Sequence, residues 1–372
     1  MPKAKKKSFL KTFFRVIAIL LLIIILTVGT YVLYVIFQYK RIEDNQNISV
    51  NNNPTQLVQV GQEYSISTYN IGFGAYAQDF SFFMDKGETL DGKKLQGTGS
   101  VAKNEQTVNN NTNGAIETIK SQNVDFAFFQ EVDVKATRSY KVNQYKAIQS
   151  NFENMASSIS MNFHSAYLFY PLTSPHGKTD AGIVTLSKYK IDSAVRRSLP
   201  VDESFPTKFF DLDRCFQVTR LKVQDSDKEL VLINIHMSAY DEGGKIRTKQ
   251  LKMLNDILAS EKQKDNYVIV GGDFNHDIAG SIGLWQTNRK KPDWVFVLGA
   301  DDLTDGYRWV SSTNAPTCRS TDTKYIKNES YLVVLDGFIC SQNIESIDIH
   351  NIDTDFMYSD HNPAKMTFKL KV

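Results

Sequence analysis

Cysteine is scarce in this chain of 372 residues: three stand at Cys215, Cys318 and Cys340, with no CxxC pair. That excludes a disulfide framework and a cysteine-built zinc site, permits at most one disulfide, and leaves buried core thiols as the plain reading. Acidic residues are absent before Glu43, while eight basic residues stand there. A basic excess is missing from the remainder. The whole chain has 43 Lys and Arg against 41 Asp and Glu, net +2, but Ile42 to Val372 carries 35 basic and 41 acidic residues, net −6. Such a segment lacks the basic face that a non-specific nucleic-acid coat protein needs. It is still compatible with an enzyme that touches phosphate through a metal ion. No internal repeat and no long low-complexity run is present. What is abundant is core material: 42% hydrophobic and 12% aromatic residues exclude wholesale disorder. The length suits one large domain or two small ones.

Val16 to Gln38 (VIAILLLIIILTVGTYVLYVIFQ) runs 23 residues without a charge. At about 1.5 Å per residue it spans roughly 35 Å, enough to cross a bilayer with some tilt. A signal peptide's apolar core is about 7–15 residues, and no small-x-small cleavage site precedes Tyr39-Lys40-Arg41. An uncleaved anchor is therefore expected, rather than a cleaved signal or a buried core helix. Lys3, Lys5, Lys6, Lys7, Lys11 and Arg15 precede the span and two basic residues follow it. The positive-inside rule then predicts a cytoplasmic N-terminus in the cell membrane and an extracellular domain. Residues 1–15 read as a basic cytoplasmic segment, 16–38 as the transmembrane anchor, 39–62 as a polar linker and 63–372 as the folded domain. The Asn- and Gln-rich stretch Ile42 to Gln62 reads as a tether. A second polar stretch, Asp85 to Asn113, reads as a long exposed loop.

The remainder alternates strands and helices. Strands are expected at Glu63–Tyr69, Val124–Phe129, Ala166–Tyr170, Ala181–Leu186, Cys215–Val223, Leu230–His236, Val268–Val270, Leu332–Ile339 and Met366–Leu370. Gly114–Gln122 reads as a short helix. Lys245–Gln263 is the clearest helix, with Leu251, Leu254 and Leu258 on one face. Several strands are apolar at consecutive positions, as strands covered on both faces would be. Stacked sheets with helices outside follow from that pattern.

Polar residues mark the strand ends. The first strand ends in Asn70, and the next in Gln130-Glu131-Val132-Asp133. Others end in Asn234-Ile-His236 and in Gly271-Gly272-Asp273-Phe274-Asn275. Asp336-Gly337-Phe338 lies within an apolar run, and Ser359-Asp360-His361 stands just before the last strand. Each site alone has a bland alternative: a turn former, a solvated strand end, a satisfied histidine. Asp336 is the hardest to explain so, because an unpaired buried carboxylate is costly.

The ordered set resembles the endonuclease/exonuclease/phosphatase superfamily over about Tyr64 to Val372. Gly272 to Asn275 (GDFN) with the terminal Ser359 to His361 (SDH) is the specific combination. The superfamily resemblance implies an α+β, four-layer αββα sandwich with two mixed sheets face to face, here preceded by one transmembrane helix. It implies that Glu131 is the main ligand of a Mg²⁺ (or Mn²⁺) ion, with Asn70 and Asp360 near the same ion. It implies that Asp273 and Asn275 align the attacking water and the scissile phosphate. His361 would contact a phosphate oxygen or act as base, with Asp336 fixing its tautomer. His236 would lie on the leaving-group side, and a histidine there is similar to the deoxyribonuclease I-like and bacterial sphingomyelinase-like branches.

Chemistry accounts for the same set independently. In-line attack on a phosphodiester builds negative charge on the phosphate and the leaving oxygen, which a divalent cation and N–H donors stabilise. An oxygen-only ligand shell suits a hard cation. Arg214, at a strand start, is a possible phosphate ligand, with a surface salt bridge as the alternative. His276 beside Asn275 reads as structural or as part of the rim. The expected activity is a phosphodiesterase acting on nucleic acid or phospholipid. Alternatives are a sphingomyelinase- or phospholipase-C-like enzyme, an inositol-phosphatase-like enzyme, and an inactive binding module on the same fold. The segment Gly283–Val297, with Trp285, Trp294, Phe296 and Arg289-Lys290-Lys291, would dip into lipid, stack on bases, or simply pack as a surface loop. The membrane enters as a partner through the anchor, and nothing calls for an obligate protein partner.

Overall fold

The structure, a computed structural model, describes residues 3–205, 207–209, 211–239 and 244–372. Met1 and Pro2, the start of the expected basic segment, lie outside the described residues. Helix α1 is Lys3–Gln38, and its stretch Phe9–Gln38 is long and apolar enough to cross a membrane.

Consecutive apolar residues in the strands do feed two cores, one on each face of a sheet. The first sheet has the order β1 (Gln46–Asn47), β8 (Ser193–Ser198), β9 (Cys215–Lys222), β10 (Glu229–His236), β11 (Tyr267–Asp273), β15 (Asp336–Ser341), β12 (Tyr307–Val310). The second has the order β16 (Ile344–Asn351), β17 (Ala364–Leu370), β2 (Glu63–Asn70), β5 (Phe126–Asp133), β7 (Asp180–Ser187), β6 (Ala156–His164). Both sheets are mixed: β10 with β11 and β2 with β5 are parallel pairs. Leu230, Leu232 and Ile269 face inward and meet Ile66, Phe126, Phe128 and Phe368 of the other sheet. Their neighbours Val231, Ile233, Val268 and Val270 face outward and meet Leu251, Leu254 and Leu258 of α4 (Lys245–Gln263). On the other side α2 (Glu105–Ser121) and α3 (Gln144–Asn151) lay Ala115, Ile116, Ile119 and Ile148 over Ala127, Phe129 and Val184. The layers are therefore helix, sheet, sheet, helix, as expected. The three cysteines are buried and free.

Four local expectations change. The stretch Asp85–Asn113 is not one exposed loop. It holds a ribbon of β3 (Lys86–Glu88) and β4 (Lys94–Gln96), and from Glu105 it is already α2. Its asparagines are weak helix formers, but Asn104 caps the helix by accepting from Thr107 N, and Val108 is buried on the same face as Ala115 and Ile119. No strand forms over Ala166–Tyr170, where Leu168 and Gly177 make a single bridge. The strand there is β6, whose Ser157, Ser158 and Ser160 are buried polar residues that gave no hydrophobic signal. Leu332–Ile339 divides into β14 (Leu332–Val333), paired with β13 (Cys318–Arg319), and β15. Ile42–Gln62 lies along the sandwich rather than hanging free: Gln46 pairs with Arg196, Asn51 bridges Ser157, and Val58 is fully buried.

Candidate active site

Strand register builds half of the site. His236 ends β10 opposite Asp273 on β11, and Asp273 stands opposite Asp336 on β15. Three adjacent strands thus present three chemically able side chains at one level. Gly272 precedes Asp273 with φ 154°, and a Cβ there would lie 1.9 Å from Ile235 O, so only glycine lets β10 and β11 meet at that point.

The second sheet supplies the opposite wall. Asn70 ends β2 in parallel register with Gln130 of β5. The β5–β7 ladder then slips between Phe129 and Val132, and Glu131 adopts φ 55°. This bulge turns the Glu131 side chain toward the first sheet. Asn70 Nδ2 donates to Asp273 Oδ2 at 2.9 Å and to Glu131 Oε1 at 3.3 Å. His236 Nε2 lies 3.4 Å from Asp273 Oδ2 and 4.0 Å from Glu131 Oε1.

Loops complete the ring. His361 Nδ1 lies 2.8 Å from Asp336 Oδ2, and its Nε2 lies 3.7 Å from Asp273 Oδ2. The hydrogen bond expected between these two residues is therefore present. Ser359 fixes the loop by donating to Asn70 O at 2.8 Å. Asp360 lies over Gly72, where a Cβ would come within 3.1 Å of Asp360 Oδ1 and 2.5 Å of the Tyr76 ring. Asp273 Oδ1 accepts from Asn275 N at 2.8 Å, and Asn275 Nδ2 donates to Met237 O at 2.8 Å. Arg214 is buried, and its Nε and Nη1 find no partner among the described residues.

Charge follows from burial. Burial raises the Glu131 pKa; Arg138 opposes the shift and Asp360 adds to it. Burial also raises Asp360, against the pull of His361 and Arg319. Burial lowers His236 well below its ordinary value, and the Arg214 charge adds to that. Burial alone would lower His361, but Asp336, Cys318 and Asp273 together hold it well above the ordinary histidine value.

The structure thus brings the nine residues singled out by sequence to one end of the sandwich. Others were missed. Gln130 Nε2 donates to Asn234 Oδ1 at 2.8 Å, and Asn234 Nδ2 to Val184 O at 2.8 Å, a buried stitch between the sheets just beneath the site. Arg138 forms a buried bidentate pair with Asp133 behind Glu131. Thr317 Oγ1 accepts from the N–H groups of Leu335 and Asp336. The Gln-Glu and Asn-x-His motifs held the signal for the stitch; nothing in the sequence marked Arg138 or Thr317. His276 is buried, with Nδ1 2.6 Å from Phe274 O and its ring stacked on Phe296. In Gly283–Val297, Trp285 and Trp294 pack against core clusters and the Arg247 guanidinium covers Phe296, so the packed-loop reading holds.

A family model described as the Endonuclease/Exonuclease/phosphatase family matches residues 67–322. The chain belongs to the endonuclease/exonuclease/phosphatase family. The family match stops short of Asp336 and His361, which the fold nonetheless delivers to the same site. D. rerio TDP2, solved with a single-strand DNA product, superposes with TM-score 0.52 at 13% identity, covering 83% of this chain and 99% of that one. ANGEL2, described as a 2′,3′-cyclic phosphatase, gives TM-score 0.53 at 14% identity, covering 90% and 100%. A family protein from Leptotrichia buccalis C-1013-b gives 0.53 at 14%, covering 82% and 99%. These likenesses concern the fold. A comparison with curated proteins finds no match. Family membership and fold together support hydrolysis of phosphate esters.

Proposed function

We propose that the protein is a membrane-anchored, extracytoplasmic, metal-dependent phosphodiesterase whose catalytic domain is residues 63–372. The observation that carries this reading is the in-register trio His236, Asp273 and Asp336 facing Asn70 and Glu131 across the sheet gap. Glu131 and Asp360 fit a Mg²⁺ or Mn²⁺ ion: their donors are oxygens, and both carboxylates are pushed up by burial, a cost that a divalent cation would offset. Asn70, expected beside the same ion, instead turns its Nδ2 to Glu131 and its Oδ1 to Gly72 N, so it positions Glu131 rather than offering an oxygen. Such an ion supplies charge stabilisation for the phosphate.

The residues themselves divide the work. Asp273, oriented by Asn275 N, aligns the water against phosphorus. Water adds, the bond to the leaving alcohol breaks, and the proton taken from the water ends on the leaving oxygen. His361, held by Asp336, turns its Nε2 toward the phosphate. His236 lies on the leaving-group side, and Arg214 offers its unpartnered nitrogens to a phosphate oxygen. The single-strand DNA product on TDP2 and the adenosine-2′,3′-vanadate on ANGEL2, described as a 2′,3′-cyclic phosphatase, suit a phosphate-ester substrate.

The α1 span and the six basic residues before it support an anchor with a cytoplasmic N-terminus. Protease added to intact cells should remove the domain and spare an N-terminal stub; a protected domain would refute this topology. Full-length protein should hydrolyse bis(p-nitrophenyl) phosphate with Mg²⁺ and stop in EDTA. Undiminished turnover in EDTA, or a preference for the monoester, would overturn the respective part of the reading.

A further inference from the structure

The anchor helix does not end clear of the domain. Tyr31 Oη donates to Tyr167 O at 3.1 Å and accepts from Phe169 N at 3.2 Å. Tyr34 Oη accepts from Tyr167 N at 3.2 Å. The rings of Tyr31 and Phe169 meet edge to face at 5.3 Å, as do Tyr39 and Phe209 at 5.1 Å. Val35 is buried against Ala166 and Phe209. The last two turns of α1 are thereby fastened to two loops, 165–179 and 199–214.

Both loops belong to the catalytic end. Loop 165–179 joins β6 to β7, and the start of β7 pairs with the end of β5: Ala181 stands opposite Asp133, two residues past Glu131. Loop 199–214 runs into β9, whose Phe216 stands opposite Ile235, beside His236. The opposite end of the sandwich, including the β9–β10 turn at Gln224–Lys228, lies away from α1.

Depth follows from helix rise. Tyr31 stands seven residues before Gln38, about 10 Å along the axis at 1.5 Å per residue. A loop bonded to Tyr31 therefore lies about 10 Å below the outer end of the 16–38 span, inside the outer leaflet of a bilayer that the span crosses. That loop is apolar where it is most open. Phe169, Tyr170 and Leu172 are 50%, 64% and 84% exposed, and Phe205 on the companion loop is 68% exposed. Three large apolar side chains near Tyr31, with Phe205 against Phe209 nearer the helix end, suit the acyl side of the headgroup boundary, where aromatic rings are at home.

We propose that the catalytic end faces the bilayer with loop 165–179 seated in its outer leaflet, and that the substrate is a membrane phosphodiester, the headgroup ester of a phospholipid. The substrate half rests on the phosphodiesterase reading above. The net charge of −6 on Ile42 to Val372 points to a zwitterionic headgroup in particular, since a nucleic-acid polyanion would meet repulsion and a zwitterion would not.

The test uses full-length protein in phosphatidylcholine vesicles containing phosphatidylglycerol. An environment-sensitive dye on Leu172→Cys should shift to the blue and be quenched by spin-labelled lipid; the same dye on Ser226→Cys, in the far-end turn, should report water. The native cysteines are buried, so labelling is selective. Equal water exposure at both positions overturns the orientation. In the same vesicles Leu172→Glu should lower hydrolysis of the lipid phosphodiester about tenfold, the scale of one apolar anchor lost from the interface. Hydrolysis of soluble bis(p-nitrophenyl) phosphate should stay unchanged. Equal loss on both substrates, or on neither, overturns the lipid assignment, as does faster cleavage of a single-stranded oligonucleotide than of lipid. No turnover of the soluble diester by the parent protein would instead overturn the phosphodiesterase reading, while the dye measurement still decides the orientation.

Discussion

On the first sheet, His236, Asp273 and Asp336 reach the site because an unbroken ladder holds β10, β11 and β15 in step. On the second, Glu131 reaches it only because the ladder slips and the backbone takes φ 55°. The first wall is regular structure as far as Asp273 and leaves it only beyond the strand, where Asn275 takes φ 53°. The second departs from regular structure at the residue proposed to hold the metal. A non-glycine residue in the left-handed region costs about 1–2 kcal/mol, and such strain is kept where function requires the resulting geometry.

The largest effect is expected from removing the charge at the departure itself. Glu131→Gln should lower metal-dependent turnover by about 10³-fold or more, as several kcal/mol of transition-state stabilisation are lost. It should also abolish the rise in melting temperature that Mg²⁺ gives the parent protein. Retention of that rise would move the metal to the first wall, where Asp273, Asp336 and His361 bring one ligand atom each within 4.8 Å of one another.

On the first wall the expected losses are smaller and shared. Asp336→Asn keeps the shape but offers His361 the wrong hydrogen-bonding complement, so turnover should fall about 10²-fold. His361→Ala should cost at least as much, and the double variant little beyond the worse single one, as for groups acting as a unit. Additive losses in kcat would show that the 2.8 Å contact is not the functional link.

The same contrast governs what could be read from sequence. Residues set by strand register were legible, because a buried strand ending in a polar residue places that residue at a sheet edge: Asn70, His236 and Asp273 all follow this rule. Asp336 was legible for the opposite reason, a carboxylate inside the apolar run LVVLDGFI that required a partner. Positions set by tertiary context were not. The first half of α2 is rich in asparagine and became helix by burying Val108. β6 carries its burial on serines. Arg138 and Thr317 act through contacts with no local pattern, and the docking of α1 depends on loops far apart in the chain.

The second wall also rests on a histidine that the site does not use. His176 is buried among Phe73, Phe83 and Phe163, with Nδ1 2.9 Å from Ser100 O. Burial, aided by the Arg138 charge, pushes its pKa down to about 3. Above about pH 6.5 both folded and unfolded chains hold it neutral, and it adds no pH dependence. As the pH falls from there toward 3, the unfolded chain takes a proton that the folded one refuses, so stability falls by roughly 1.4 kcal/mol per pH unit. Melting temperatures at pH 7, 6 and 5 should decline less steeply for His176→Gln than for the parent. Parallel declines would assign the acid sensitivity elsewhere.

The smallest effect separates strain from contact. Glu131→Gly removes a half-buried carboxylate and gives φ 55° to the residue that adopts it freely. Stability should therefore rise by about 1 kcal/mol, the left-handed penalty less the extra backbone entropy of glycine in the unfolded chain, while activity is lost. Asp273→Ala should do the reverse on the regular wall. Its carboxylate accepts from Asn70 Nδ2 and Asn275 N at 2.9 and 2.8 Å, and losing it strands Asn275 N and leaves Asn70 Nδ2 only its longer bond to Glu131. That should cost about 1–3 kcal/mol of stability, along with activity. Urea unfolding of the two variants in the absence of metal tests the pair directly. Opposite signs would show that the second wall is held in its geometry by the rest of the fold. Destabilisation of both by similar amounts would show instead that the bulge is the relaxed state of β5 and that Glu131 carries no strain.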